Sequence, residues 1–198
     1  MICNQLADCL NKLKYKNVYT YCVNTKKGKR SPHGKKKIGH ALVGNPCKND
    51  AKLQKCISFF DERSRPSCTE NQMTYTILNE SNLPVIGVHL DKGVVDTHDT
   101  QKCDYLFLFK DDPERIVLIE LKGKHIYEAI RQLKNTLELP VIQTLIKPKS
   151  KVYGRIVASG SVPKIRSIEE QTLRKAFKSH GGNLVAREKS FEEPYTDL

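Results

Sequence analysis

The chain has 198 residues, with 34 Lys and Arg against 22 Asp and Glu, a formal charge of +12 and a pI near 9.4. That length suits one ordinary domain with an extension, and the charge favours a polyanionic partner, nucleic acid first. No apolar run approaches the roughly 20 residues of a membrane span, and the first 20 residues lack the apolar stretch of a signal peptide, so a cytoplasmic protein with no membrane partner is expected.

Leu6, Leu10 and Leu13 recur at helical spacing and predict a helix over 4–13, with a strand over 18–23 behind it. Residues 26–40, KKGKRSPHGKKKIGH, contain Pro32 and carry seven positive charges without an acid. This reads as a loop or arm in which Lys26, Lys27, Lys29, Arg30, Lys35, Lys36 and Lys37 contact phosphates; the alternative is a solvated loop with no specific role. A short helix is predicted over 52–60, with Leu53, Cys56, Ile57 and Phe60 on one face, and a longer one over 69–80, capped by Thr69, with Met73 and Ile77 in its stripe. Pro84 opens a strand over 83–90, and a turn-rich stretch holding Asp96, His98 and Asp99 leads to Cys103. Ile126, Ile130, Leu133 and Leu137 then predict a helix over 125–139 that Pro140 ends or kinks. A strand over 151–158, a helix over 168–179 stopped by Gly181 and Gly182, and a short strand over 183–187 complete the order. A basic extension over 1–65 thus precedes an α/β core over 66–198.

Seven cysteines are an odd number and fit no paired C-x-x-C pattern. Reduced thiols are expected, Cys103 being a small core residue beside Asp104; the alternative, a metal held by Cys47, Cys56 and Cys68 with His33 or His40, has long and irregular gaps.

The stretch over 102–124, KCDYLFLFKDDPERIVLIELKGK, carries the chemistry. Two apolar strands flank a charged turn. Side chains alternate between faces along a strand, so Glu120 and Lys122 point the same way while Leu121 points to the other side. If the connection has an odd number of residues, such as 110–114, Phe109 lies opposite Arg115 and Asp104 lies opposite Glu120. Two carboxylates about 5 Å apart at Cβ oppose each other unfavourably. An even connection, such as 110–115, turns Asp104 to the other face, so register decides whether a site exists. A divalent cation between the acids reverses the sign of the interaction, and oxygen ligands suit Mg2+ or Mn2+.

Asp104, then Glu120-Leu121-Lys122, then a helix from His125 resembles the core of the PD-(D/E)XK nuclease superfamily, which includes restriction endonucleases, junction resolvases and repair exonucleases. The resemblance spans roughly 69–157 in element order. It implies a restriction-endonuclease-like αβββαβ core with a mixed central sheet flanked by helices. It also implies a divalent-metal-dependent endonuclease acting on DNA rather than RNA, of restriction, defence or repair type. By the same resemblance Asp104 and Glu120 hold Mg2+ or Mn2+, with the Leu121 carbonyl as a further ligand, and Lys122 acts on the attacking water or as a charge stabiliser. Glu70, placed in the first turn of the helix over 69–80, is the matching helix glutamate, with Glu80 its alternative. Gln132 matches a glutamine that some exonuclease-like branches carry on the following helix. Cys103 stands where the motif has proline. Double-strand cutting by so small an enzyme needs two copies of the site, so a homodimer is expected. The reading set against this one is a non-catalytic nucleic-acid-binding or docking subunit on the same fold.

Overall fold

A computed structural model describes residues 57–91, 101–109, 111–123, 125–162 and 167–198. The helix and strand expected over 4–13 and 18–23, the basic arm, and the loop with Asp96, His98 and Asp99 lie outside them. The described chain runs β1 (Ile57–Asp61), β2 (Ser67–Glu70), β3 (Met73–Leu78), β4 (Val85–His89), β5 (Tyr105–Phe109), β6 (Arg115–Lys122), α1 (Ile126–Glu138), α2 (Pro140–Gln143), β7 (Lys151–Ala158), α3 (Ile168–Ser179), β8 (Leu184–Glu188) and β9 (Ser190–Pro194).

Six strands form one mixed sheet in the order β1-β4-β5-β6-β7-β8. β4, β5 and β6 pair antiparallel, while β7 returns through α1 to lie parallel to β6, and β8 lies parallel to β7. A crossover of that length forces the parallel pairing. The central strands are apolar at almost every position because both faces are covered. Leu106, Leu108, Ile116, Leu118, Val152 and Ile156 meet Ile130, Leu133 and Leu137 of α1 and Leu173 and Phe177 of α3. Gly154 lets Phe177 lie directly on β7, since a Cβ there would come within 2.5 Å of the ring. The opposite face, with Phe107, Phe109, Val117, Ile119, Tyr153 and Val157, meets Met73, Tyr75, Ile77 and Phe191 of a second sheet, ordered β2-β3-β9.

The described chain is thus α/β with a mixed sheet, but the described helices lie on one face and a three-stranded sheet covers the other. The helix expected over 69–80 is instead the β2–β3 hairpin. Thr69 does not cap a helix; its hydroxyl meets that of Thr74 across the hairpin at 3.0 Å. Asn71 and Gln72 take φ of 48° and 66°, the left-handed pair that closes a tight hairpin. Met73, Tyr75 and Ile77 are buried at a period of two, and the interval of four between Met73 and Ile77 fits a strand as well as a helix. The helix expected over 52–60 also fails where it is described: Ile57–Asp61 is a strand on the edge of the main sheet, paired with β4.

The helices expected over 125–139 and 168–179 and the strands expected over 83–90, 151–158 and 183–187 agree with the structure to within two residues. α1 starts after His125, and Pro140 ends it while opening α2 at a position where its missing N–H costs nothing. α3 is capped by Ser167, whose side chain accepts from the Glu170 N–H, and the chain leaves it through Gly181 at φ 70°. β9 was not expected. Tyr75 and Phe191 pack edge to face at 5.4 Å to seat it.

Candidate active site

The β5–β6 register fixes the site. Phe109 pairs with Arg115 and Tyr105 with Ile119, the pattern of an odd connection over 110–114. One step beyond Tyr105 the same register sets Asp104 beside Glu120. The Leu121 N–H donates to Asp104 Oδ2 at 2.7 Å, and the Leu90 N–H donates to the Asp104 carbonyl at 2.8 Å, so both neighbouring strands hold Asp104. Glu120 and Lys122 share the α1 side of β6, the side on which Ile116 and Leu118 meet the helix.

Electrostatically the two acids are mismatched to their surroundings. Glu120 is 1% exposed, and its Oε2 has no hydrogen-bond partner among the described residues. Burial, then the charge of Asp104, pushes its pKa from 4.5 up to about 9, against a lowering by Lys122. Asp104 is pushed from 3.8 up to about 6, first by burial and further by Glu70 and Asp91, while the Leu121 N–H and Lys122 pull it down. At neutral pH the pair therefore holds a proton between them. A buried carboxylate oxygen with no donor, beside a second carboxylate, is the donor set that a hard divalent cation suits.

Lys122 is turned toward α1. Its Nζ donates to Glu128 Oε2 at 2.9 Å and to Gln132 Oε1 at 3.1 Å. The ammonium holds the Glu128 carboxyl below its ordinary range. Gln132 Nε2 in turn donates to the Lys102 carbonyl at 3.0 Å, and one turn on, the Thr136 hydroxyl accepts from the Cys103 N–H at 2.7 Å. This flank of α1 thus pins the backbone just before Asp104. Lys102, nearly buried, pairs with Asp91 at 3.3 Å.

Of the expected site residues, Asp104, Glu120, Lys122 and Gln132 come together, with Leu121 between the acid and the lysine. Glu70 ends β2 rather than opening a helix, in the sheet that covers the other face. It is close enough to raise the pKa of Asp104, yet among the described residues no three His, Cys, Asp or Glu side chains gather tightly enough to hold a metal by themselves. Glu80 is at the wrong end. The Thr74 N–H bonds to the Lys189 carbonyl, and the Lys189 N–H bonds to Ala158 at the tip of β7, so β3 begins near the acids and Glu80, beyond its finish, lies away from them. Cys68 and Cys103 are buried free thiols, and Cys47 and Cys56 lie outside the described residues. Asp91, Lys102 and Glu128 were not anticipated. For Glu128 a signal existed, since it stands four residues before Gln132 and shares its helix flank.

Two open clefts of about 420 Å³ each lie away from the acids. One borders Arg155, Asn183, Phe191 and Glu193, and the other borders the 111–114 turn and residues 147–150. Arg155, fully buried, is engaged by Glu193, Asn183 Oδ1 and two carbonyls, and it ties β9 to β7. No described helix is long and apolar enough to cross a membrane. Comparison with family models, curated proteins and solved structures gave no match.

Proposed function

We propose that the chain is a divalent-metal-dependent nuclease of the PD-(D/E)XK type, acting on DNA in restriction, defence or repair, in the cytoplasm and as a homodimer. The observation that carries this is the buried Glu120 carboxylate, which has an unpartnered oxygen, faces Asp104, and has a lysine two residues along on the same face. An ordinary sheet has no reason to keep two carboxyl groups face to face, one of them buried so deeply that it holds its proton. Mg2+ or Mn2+ fits these donors: Asp104 and Glu120 would hold it, with the Leu121 carbonyl in reach of the same edge. When bound, it lowers the pKa of a ligand water and neutralises charge growing on the phosphate.

The chain's own residues do the rest. Lys122 offers its ammonium to a phosphate oxygen as water attacks phosphorus and one P–O ester bond breaks, the departing oxygen taking up a proton. Gln132, anchored on the Lys102 carbonyl, fixes where that ammonium sits. Glu70 adds negative potential from the hairpin side, and the seven basic residues from Lys26 to Lys37 supply affinity for the backbone without reading its sequence.

The test is plasmid cleavage with Mg2+ or Mn2+. Wild type should nick or linearise DNA, and Glu120→Ala or Lys122→Ala should abolish cutting while largely sparing binding. Binding without cutting under any divalent metal sinks the enzyme. That outcome would leave the second reading, a non-catalytic nucleic-acid-binding subunit, which one observation favours: the Lys122 ammonium is already occupied by Glu128 and Gln132.

A further inference from the structure

The position of the Lys122 ammonium is at odds with the needs of the acids beside it. Among the described residues Glu120 Oε2 meets no donor although a lysine stands two residues along on the same face, so Lys122 is directed away from it. The two partners that hold Lys122 differ in kind. Gln132 is neutral and is itself held by the Lys102 carbonyl, so it is a fixed point. Glu128 is charged, sits in the first turn of α1, and is 48% exposed against 23% for Lys122. A half-exposed ion pair is weak, and another anion can replace the carboxylate without exposing a buried charge. A phosphate diester brings the same charge and the same acceptor oxygens.

We propose that Glu128 is a displaceable counter-ion that parks Lys122 against α1 and gives it up to a backbone phosphate when nucleic acid reaches the acid pair. Gln132 keeps its hold throughout, so the ammonium pivots and is not released. The exchange sets a threshold: only a polyanion that competes with Glu128 engages the lysine. This rests on the nucleic-acid reading of the site but not on cutting.

The test is binding of the full-length chain to a fluorescent DNA duplex in EDTA, followed by anisotropy across a salt series. Glu128→Gln keeps the shape and an acceptor oxygen while removing the charge, and its partial exposure lets the fold tolerate it; a thermal midpoint checks that. The variant should bind about three- to tenfold more tightly at low salt, and the gain should shrink as salt rises, because the half-exposed ion pair that wild type must break is itself screened by salt. In a Lys122→Gln background the same substitution should give no gain. An equal gain in both backgrounds would mean simple removal of a negative charge and would overturn the proposal, as would unchanged or weaker binding by Glu128→Gln alone. Lack of DNA binding in every variant overturns it together with the nucleic-acid reading. A chain that shows the Lys122-dependent gain but cuts nothing with Mg2+ or Mn2+ loses the nuclease and keeps the counter-ion.

Discussion

Replacing Glu120 by Gln should make the protein more stable at alkaline pH. The folded chain holds the Glu120 proton up to about pH 9, whereas the unfolded chain releases it near 4.5. Between those limits the folded state binds more protons than the unfolded one, so stability falls as pH rises and the loss is complete near pH 9. At about 1.4 kcal/mol per pH unit the loss would reach about 6 kcal/mol in a rigid site, and relaxation of the buried pair brings the expected value to about 3–6 kcal/mol. Asp104 adds a smaller fall of the same sign between 3.8 and about 6. Glu120→Gln has no proton to lose and offers its amide to Asp104, so only the Asp104 segment of the curve should survive. Urea unfolding in EDTA, repeated from pH 5 to pH 9, reads this directly: wild type should weaken steadily across the range, and the variant should level off above about pH 6. Near pH 8, Mn2+ at a hundredfold excess over its dissociation constant should restore about 2.7 kcal/mol to wild type and nothing to the variant. Superimposable pH profiles for the two proteins would show that burial beside Asp104 does not hold a proton on Glu120, and the case for the site would go with it.

Three further outcomes test the surroundings. The first 56 residues hold 13 of the 34 basic side chains and only two acids, so Lys35, Lys36 and Lys37 changed together to Gln should flatten the salt dependence of DNA affinity; the change should be about 0.9 per lysine that meets a phosphate, and an unchanged slope retires the arm. Arg155→Met leaves Glu193 buried without its counter-charge, with the Tyr75 hydroxyl still donating to it, and should cost about 3–5 kcal/mol in urea unfolding; adding Glu193→Gln, which keeps an acceptor for Tyr75, should recover part of that loss. Thr136→Val keeps the volume but strips the Cys103 N–H of its acceptor, an expected loss of about 1–3 kcal/mol by the same measurement.

The elements legible in the sequence were those with one dominant period and sufficient length. α1, β7 and α3 follow the expected bounds to within a residue because their apolar positions fit only one geometry over eight residues or more. The β2–β3 hairpin was misread because Met73 and Ile77 stand four apart; Tyr75 between them was the decisive residue, since burial at 73, 75 and 77 is possible only in a strand. β9 stayed hidden because its sequence, SFEEP, is too polar to announce a strand: Glu193 is buried because Arg155 on β7, 38 residues away, and the Tyr75 hydroxyl on β3 both meet it. Part of the site was legible for the opposite reason. Glu120 and Arg155 both break the apolar pattern of neighbouring strands, and each raises the question of what compensates its burial. Arg155 is answered by Glu193, Asn183 and main-chain carbonyls, which makes it a structural tie. Glu120 is met instead by another carboxylate and a lysine turned toward the helix. Among the described residues one buried acid or base is compensated internally and the other is left open, which is why the proposed chemistry falls on the end of β6 and not on the cleft beside β7.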